Sequence, residues 1–353
     1  MKRYSNLFPK IVDKNNIKTA IYKASLGKRN RKAVKYILDN IDEKVDELYS
    51  LLINNQFIPA PYKVKILKDG SCRKEREISC PKFFPDQCVH WAIMLQIEPI
   101  FKKRLYYYSC ASVKGGGVHK AIRYVKRITR NDKRGTKWVL QMDVKKFYPS
   151  IDHTILKSKF RRVFKDNDLL KLLDLIVDST EKGVPIGNYT SQWFANFFLA
   201  DLDNYIKNLG FKYYVRYMDD MIVFCSNKKK LHELRKQIND FLTNEKLTLK
   251  QNWQIYSINN RGIDFLGVVV YRNRVILRDN IYLRMTRRAR KIYKKHYVTL
   301  KDASAMISYW GWIKITNTNQ MYHKQIKPYI SIEKCKEIIS HENKIRNKAN
   351  AKV

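Results

Sequence analysis

The sequence predicts an α+β fold, and two observations carry that prediction. Short β-forming runs broken by turn residues recur at 62–79, 211–225 and 253–270, while amphipathic helical patterns fill the stretches between them. The second of these runs reads as a hairpin with Tyr217-Met218-Asp219-Asp220 at its tip: Tyr213, Val215 and Tyr217 alternate with Lys212, Tyr214 and Arg216 before the turn, and Ile222, Val223 and Phe224 return after it. Two like charges about 4 Å apart repel by roughly 4 kcal/mol at an effective dielectric of 20. A divalent cation removes that penalty, and hard oxygen ligands favour magnesium or manganese. The plainer alternative is an Asp-Asp turn on a surface hairpin, since Asp is a common turn residue.

Charge names the class of partner. The 353 residues carry 71 Lys and Arg against 32 Asp and Glu, a net charge of +39, with 44% hydrophobic residues. The hydrophobic content is that of a globular chain with two or three subdomains. The basic excess is beyond what solubility needs and points to a polyanion. With no long apolar run and no signal-peptide core after Met1-Lys2-Arg3-Tyr4, nucleic acid is expected rather than a membrane. Cys72, Cys80, Cys88, Cys110, Cys225 and Cys335 form no CxxC pair and have no accompanying His cluster, so reduced thiols in an intracellular protein are expected, without zinc.

Residues 1–30 read as basic and turn-rich. From Lys32 to Leu52, apolar residues at Ala33, Ile37, Ile41, Val45, Leu48 and Leu52 predict one helix. Residues 62–67 and 73–79 form a hairpin around Lys68-Asp69-Gly70, studded with Lys63, Lys65, Lys68, Arg73, Lys74 and Arg76; a lysine-protected edge is its plainer reading. A helix follows from Asp86 and is expected to end at Pro99. Gly115-Gly116-Gly117, just before the basic helix 119–129, would let a phosphate approach the backbone, although the run matches no Walker or dinucleotide pattern. A buried strand, 137–144, delivers Asp143 at its end. One or two helices occupy 154–177. After Gly187, Thr190 or Ser191 can cap a helix whose Trp193, Phe194, Phe197, Phe198, Leu202 and Ile206 face a core. Residues 228–242 are helical, and 253–257 and 262–270 read as strands. From Arg284 the chain is helical and basic, with Arg287, Arg288, Arg290, Lys291, Lys294 and Lys295 interleaved with Tyr293, Tyr297, Tyr309, Trp310 and Trp312, a mixture suited to a phosphate backbone. A solvated helix face is the alternative there.

In this order the segments resemble a reverse transcriptase, from about residue 36 to about 320. Arg76-Glu77-Ile78-Ser79-Cys80-Pro81 is similar to the fingers motif, and Ile97-Glu98-Pro99-Ile100-Phe101 to the block after it. Residues 143–152, 186–192 and 217–220 resemble the three palm motifs. Phe265-Leu266-Gly267 is similar to the primer-grip hairpin, and Ser308-Tyr309-Trp310-Gly311-Trp312 to the start of a bacterial thumb. The resemblance implies a right-hand polymerase fold: an N-terminal extension and fingers over 1–137, a palm over 138–276 (with 153–185 partly returning to the fingers), and a basic helical thumb over 277–353.

It also implies roles. Asp143, Asp219 and Asp220 would hold two magnesium ions, with manganese a possible substitute, roughly 3.5–4 Å apart, and the Val144 carbonyl is a further ligand. Lys68, Arg76, Tyr148, Ile186, Gly187 and Gln192 would bind the deoxynucleotide, the Tyr148 ring excluding a 2′-hydroxyl. Lys114, Gly116, Tyr217, Met218, Arg287, Arg288, Lys291 and Trp310 would contact nucleic acid. The partners implied are template RNA, the cDNA product and dNTPs, and the place a bacterial cytoplasm.

Within the family, Ile186-Gly187-Asn188-Tyr189-Thr190-Ser191-Gln192 stands where most members have Pro-Gln-Gly, and resembles the enzymes of diversity-generating retroelements. So do Gly115-Gly116-Gly117-Val118-His119 and the run 261–267. That resemblance implies frequent errors opposite template adenines, mutagenic retrohoming and a pentameric basic accessory protein. One departure is Trp253, which falls where the wider family places a late Lys; Lys250 and Lys246 are the candidates to replace it. The alternatives are a group II intron maturase, which usually carries an X domain, whereas the resemblance places the thumb just before Val353; a retron enzyme, whose Val-Thr-Gly thumb triplet is missing; and a non-catalytic RNA-binding scaffold.

Overall fold

A computed structural model of the chain describes residues 3–68 and 75–351. Two compact units divide it. The first takes the described residues up to 117 with 140–224 and 228–255, and the second takes 118–139, 225–227 and the chain from 256 on.

The first unit begins with α1 (Phe8–Val12) and α2 (Lys14–Ser25), where a turn-rich segment was expected. The Asp13 carboxylate accepts the Asn16 N–H at 3.0 Å and so caps α2, while Ile17, Ala20, Ile21 and Ala24 are buried. The basic residues between them hide this helical spacing. The single helix expected over 32–52 is two, α3 (Lys32–Asp39) and α4 (Ile41–Ile53). At the break, the Asn40 side chain donates to the Tyr36 carbonyl, a local bond that competes with the helix.

Strands β1 (Lys63–Lys68) and β2 (Glu75–Cys80) pair antiparallel, with Lys63 opposite Cys80. The Lys68 side chain and residues 69–74, with Arg73, Lys74 and Cys72, lie outside the described residues. Next, α5 (Cys88–Arg104) runs through Pro99 instead of ending there. A proline inside a helix costs about 3 kcal/mol, but Ile97, Ile100 and Phe101 on either side are buried, and the Phe101 ring stacks on Phe197 at 4.5 Å. Packing outweighs the lost hydrogen bond.

His90 of α5 is fully buried, and no donor or acceptor reaches its Nδ1. Burial pushes the imidazole down to about 4. Because the folded value lies below the unfolded one, His90 favours folding above pH 6.5 and loses that contribution as pH falls toward 4. Its full contribution is at most roughly 3 kcal/mol. His90→Gln is therefore expected to flatten the stability loss between pH 6.5 and 4.5, read from urea midpoints at the two values.

Then come α6 (Val118–Asn131), β3 (Trp138–Asp143), α7 (Phe147–Ser150), α8 (His153–Val163) and α9 (Asn167–Val177). Asp152 and Asp166 cap the last two by accepting the Ile155 and Leu169 N–H groups. α10 (Tyr189–Phe198) and α11 (Ala200–Asn208) divide at Leu199 what reads as one helix. Neither Thr190 nor Ser191 caps α10: the helix begins one residue earlier, Asn188 holds the cap position without a side-chain bond, and both hydroxyl residues are buried inside the helix.

β4 (Tyr213–Tyr217) and β5 (Asp220–Cys225) are antiparallel, with Tyr217 opposite Asp220, so Met218 and Asp219 alone form the loop. After α12 (Lys228–Asn244) comes β6 (Gln254–Ser257), and the sheet order is β4-β5-β3-β6. Ser109 bridges to Arg216 on the outer side of β4, where the Cys110 N–H donates to the Arg216 carbonyl. β4 does not alternate as the sequence suggests: Tyr214, Val215 and Arg216 are all fully buried, because helices and sheet cover both faces of the strand.

In the second unit, β7 (Ile263–Phe265), β8 (Val268–Val270) and β9 (Val275–Leu277) form an antiparallel meander where one strand over 262–270 was expected. Its first turn is Leu266-Gly267, both at positive φ (50° and 86°), the backbone that two-residue hairpins favour. A Cβ on Gly267 would sit 2.8 Å from Ile281 and 3.0 Å from Trp312. The Arg272 guanidinium reaches the Thr129 and Lys133 carbonyls and so joins the meander to the end of α6. α13 (Asp279–Lys295), α14 (Leu300–Ile313), α15 (Asn319–Gln325) and α16 (Ile332–Ala351) complete the unit. Among the described residues, no helix is long and apolar enough to cross a membrane, and Cys80, Cys88, Cys110, Cys225 and Cys335 form no disulfide.

Candidate active site

β3 ends on Asp143, and the β4–β5 loop presents Asp219, two strands that lie side by side in the sheet. The two carboxyl groups are within hydrogen-bonding reach of one another. Burial, then the negative charge of Asp143 and its hydrogen bond, then Asp220, push the Asp219 carboxyl up to about 7. Asp143 Oδ1 is buried with no donor. On the other side, Lys250 Nζ forms an ion pair with Asp143 Oδ2, and that carboxylate raises the lysine.

Among the described residues, no group of three or more His, Cys, Asp or Glu side chains is gathered as a ready-made metal site. Of the three carboxylates expected to converge, Asp143 and Asp219 are within hydrogen-bonding reach of one another. Asp220 begins β5 opposite Tyr217 and is exposed, near enough to act on Asp219 and Lys250 through its charge. The residues nonetheless fit a hard divalent ion. Two half-buried carboxylates face each other, and the buried Asp143 Oδ1, which has no donor, needs either a proton or a cation. The Lys145 N–H donates to the Thr248 carbonyl and the Lys250 N–H to the Asp143 carbonyl, so Val144, opposite Leu249, directs its own carbonyl away from that segment, toward the β5 side.

Tyr148 closes the next side. Its hydroxyl donates to Met218 Sδ at 3.5 Å, and burial, followed by the charge of Asp219, pushes the phenol up to about 12. The Val184 N–H donates to the Tyr148 carbonyl, and a Cβ on Gly183 would come 2.4 Å from that same oxygen. Two residues on, the Ile186 carbonyl accepts the Ser79 N–H at 2.7 Å, and Gly187 lies so close to β2 that a Cβ would meet the Ser79 carbonyl at 1.9 Å. Asn188 donates to the Tyr62 hydroxyl, just before β1. Ile186 and Gly187 are thus joined on one side to Tyr148 and on the other to the strand that carries Arg76. Arg76 and Gln192 are exposed.

Met218 has φ +54°, a left-handed backbone that costs an L residue about 1–2 kcal/mol. Beneath it sits Arg216, which the sequence analysis gave no role in the site. Arg216 is fully buried: its Nε and Nη2 grip both oxygens of Asp203 at 2.7 and 2.6 Å, Nη1 and Nη2 donate to the Asn196 side chain and carbonyl, and Nη1 donates to the Met218 carbonyl at 3.0 Å. Tyr214 donates to Asp203, and Asn196 to the Ala111 carbonyl. Sequence alone gave no sign of Asp203 or Asn196; an arginine directly before an acidic turn was the available signal for Arg216.

The glycine loop is built for close packing rather than for displaying free amides. The Gly116 N–H donates to Val113 and the Gly117 N–H to Cys110, and a Cβ on Gly116 would come 2.5 Å from the Cys110 carbonyl. Lys114 is exposed beside it. Of the two lysine candidates, Lys250 stands at the carboxylates, while Lys246 pairs with Asp152 at 2.8 Å. Trp253 lies under the Arg235 guanidinium, 4.7 Å from its ring centre.

In the second unit, Arg287 and Lys291 are exposed along α13, whereas Arg288 pairs with Asp302 at 2.9 Å. Trp310 packs against Tyr322 at 4.8 Å.

An antiparallel hairpin thus presents one half-buried carboxylate to a second, in a chain with a net charge of +39. The chain belongs to the reverse transcriptase (RNA-dependent DNA polymerase) family, whose model matches residues 66–270, more than half of the sequence. It is 23% identical over 196 residues to the group II intron-encoded protein LtrA of Lactococcus lactis subsp. cremoris, a match that takes in 51% of this chain and 32% of that protein. It is 27% identical over 222 residues to the retron Ec73 reverse transcriptase of Escherichia coli, taking in 54% of this chain and 68% of that one. The chain thus spans about a third of the length of the LtrA protein. Among solved structures, a Candida albicans telomerase in complex with a fragment of telomeric RNA is similar at 11% identity and TM-score 0.49, over 83% of this chain and 61% of that one. Backbone agreement at that level is loose, and the family assignment rests on the sequence match. The mixed helix and antiparallel sheet agree with the α+β, right-hand polymerase fold expected.

Proposed function

We propose that this chain copies a template RNA into DNA by metal-assisted nucleotidyl transfer, as the reverse transcriptase of a diversity-generating retroelement. The observation that carries the reaction is the contact between Asp143 and Asp219, with Lys250 on one side and Tyr148 on the other. Asp143 and Asp219 would hold magnesium, with Asp220 and the Val144 carbonyl completing the donors. Bound there, two ions would lower the cost of the attacking 3′-oxygen and of the leaving pyrophosphate. The protein's own part is positioning: Tyr148 closes the space under the sugar, Ile186 and Gly187 line the nucleotide, and β2 carries Arg76 toward the triphosphate. Lys68 and Gln192 belong to the same proposed pocket. Lys114, Gly116, Tyr217, Arg287, Arg288, Lys291 and Trp310 are proposed nucleic-acid contacts. Primer extension on an RNA template with magnesium, and again with a chelator, tests this reading. Metal-dependent deoxynucleotide incorporation supports it; none with either magnesium or manganese overturns it.

The retroelement subtype rests on the 186–192 run. Because the Ile186 backbone is fixed by Ser79 and its side chain is only partly covered, Ile186→Gln changes chemistry without moving the turn. An amide there restores a hydrogen bond worth about 1 kcal/mol to discrimination. Misincorporation opposite template adenine is expected to fall roughly fivefold to tenfold, and unchanged fidelity removes Ile186 from the account. A pentameric basic accessory protein and a bacterial cytoplasmic setting belong to the same proposal. The similarity to intron-encoded and retron proteins supports a second reading, another kind of bacterial reverse transcriptase. Adenine-directed errors separate the two.

A further inference from the structure

Arg216 raises a question that the polymerase reading leaves open, namely why a fully buried ion pair lies directly under the loop that presents Asp219. Apolar side chains fill such a space at least as stably, because the attraction between buried charges barely repays their loss of water. Arg216 offers direction instead. A guanidinium has five N–H donors in a fixed plane, and the acceptors here match them: both Asp203 oxygens, the Asn196 side chain and carbonyl, and the Met218 carbonyl. Four of those bonds fix the guanidinium to α10 and α11. The fifth reaches the peptide unit whose N–H belongs to Asp219, and a peptide unit moves as one plane.

We infer that Arg216, locked by Asp203 and Asn196, is a positioning residue that sets the direction in which Asp219 presents its carboxylate to a divalent ion. The inference rests on the polymerase reading for its consequence in turnover, but not for its consequence in ion binding. Two further contacts fit it. Met218 takes the positive φ that a two-residue hairpin needs at its first position, and the Arg216 bond holds the carbonyl of that turn in place. Asn196 also holds the Ala111 carbonyl, and Arg216 accepts the Cys110 N–H, so the glycine loop is fixed to the same cluster.

Lysine at 216 keeps the charge opposite Asp203 but has three donors on a flexible stem, so it cannot hold Asp203, Asn196 and the turn together. In Arg216→Lys, the rate of primer extension at saturating dNTP is expected to fall about 10- to 100-fold, as a misdirected ligand does. The magnesium concentration needed for half-maximal rate should rise, while KM for dNTP stays near wild type. Binding of Mn2+ alone, followed by electron paramagnetic resonance on the full-length protein without substrates, should weaken about tenfold. Asn196→Ala leaves the ion pair intact and is expected to shift the same readouts in the same direction by less. A purely structural role would lower the melting temperature and leave both ion readouts where they were. Wild-type Mn2+ affinity and magnesium dependence in folded Arg216→Lys overturn the inference, and if that variant does not fold, Asn196→Ala decides on the same terms. Wild-type protein that binds Mn2+ but extends no primer counts against the functional reading; the comparison of Mn2+ affinities still tests Arg216.

Discussion

Asp219→Asn is expected to cut primer extension by about 10³-fold or more, because one hard ligand and its charge are lost where the transition state gathers negative charge. Asn keeps the size and one oxygen, so the hairpin itself should survive: Met218 still receives the Arg216 bond, and Tyr217 still pairs with Asp220. Without metal, the variant should be at least as stable as wild type at pH 8. Asp143 and Asp219 repel one another there, and the substitution removes one of the two charges. Activity lost while stability is kept or gained marks a site built for chemistry rather than for folding. The decisive measurements are extension rate and urea midpoint on one preparation. A variant that still extends the primer at a tenth of the wild-type rate or better, within about tenfold, refutes the assigned role of Asp219.

The second large effect is expected on sugar choice. Tyr148 is held at its ring by the hydroxyl on Met218 and at its backbone by the Val184 N–H on its carbonyl. A ring so fixed cannot step aside for a 2′-hydroxyl. Forcing extra atoms into a packed site costs about 1–3 kcal/mol, so Tyr148→Ala should raise the ribonucleotide to deoxynucleotide incorporation ratio by about 10- to 100-fold. Tyr148→Phe keeps the ring and should leave the ratio near wild type. Should Tyr148→Ala still reject ribonucleotides, some other group guards the sugar.

Much of the site was legible because its parts are local. A turn of two carboxylates between apolar runs, a strand ending on Asp143 and a glycine at 187 each leave a mark within a few residues. The corrections come from places where local preference and packing disagree. Pro99 reads as a stop, yet α5 continues because Phe101 is anchored in a cluster of rings. Residues 8–25 read as a basic loop, yet they fold as two helices because Ile11, Val12, Ile17, Ala20, Ile21 and Ala24 are buried. Thr190 reads as a cap, yet it lies within α10.

By itself the sequence determined which chemistry this protein can carry: adjacent acids at a hairpin tip, an aromatic beyond Asp143, and a surplus of 39 positive charges for a polyanion. Only the tertiary structure decided which of those groups meet. It brought Asp219 to Asp143 and left Asp220 exposed, chose Lys250 over Lys246, and buried Arg216 beneath the turn. The reason is one of range. Periodicity and turn chemistry act over a few residues, whereas the pairing of two charges depends on chain segments brought together from far apart, such as Asp143 and Lys250.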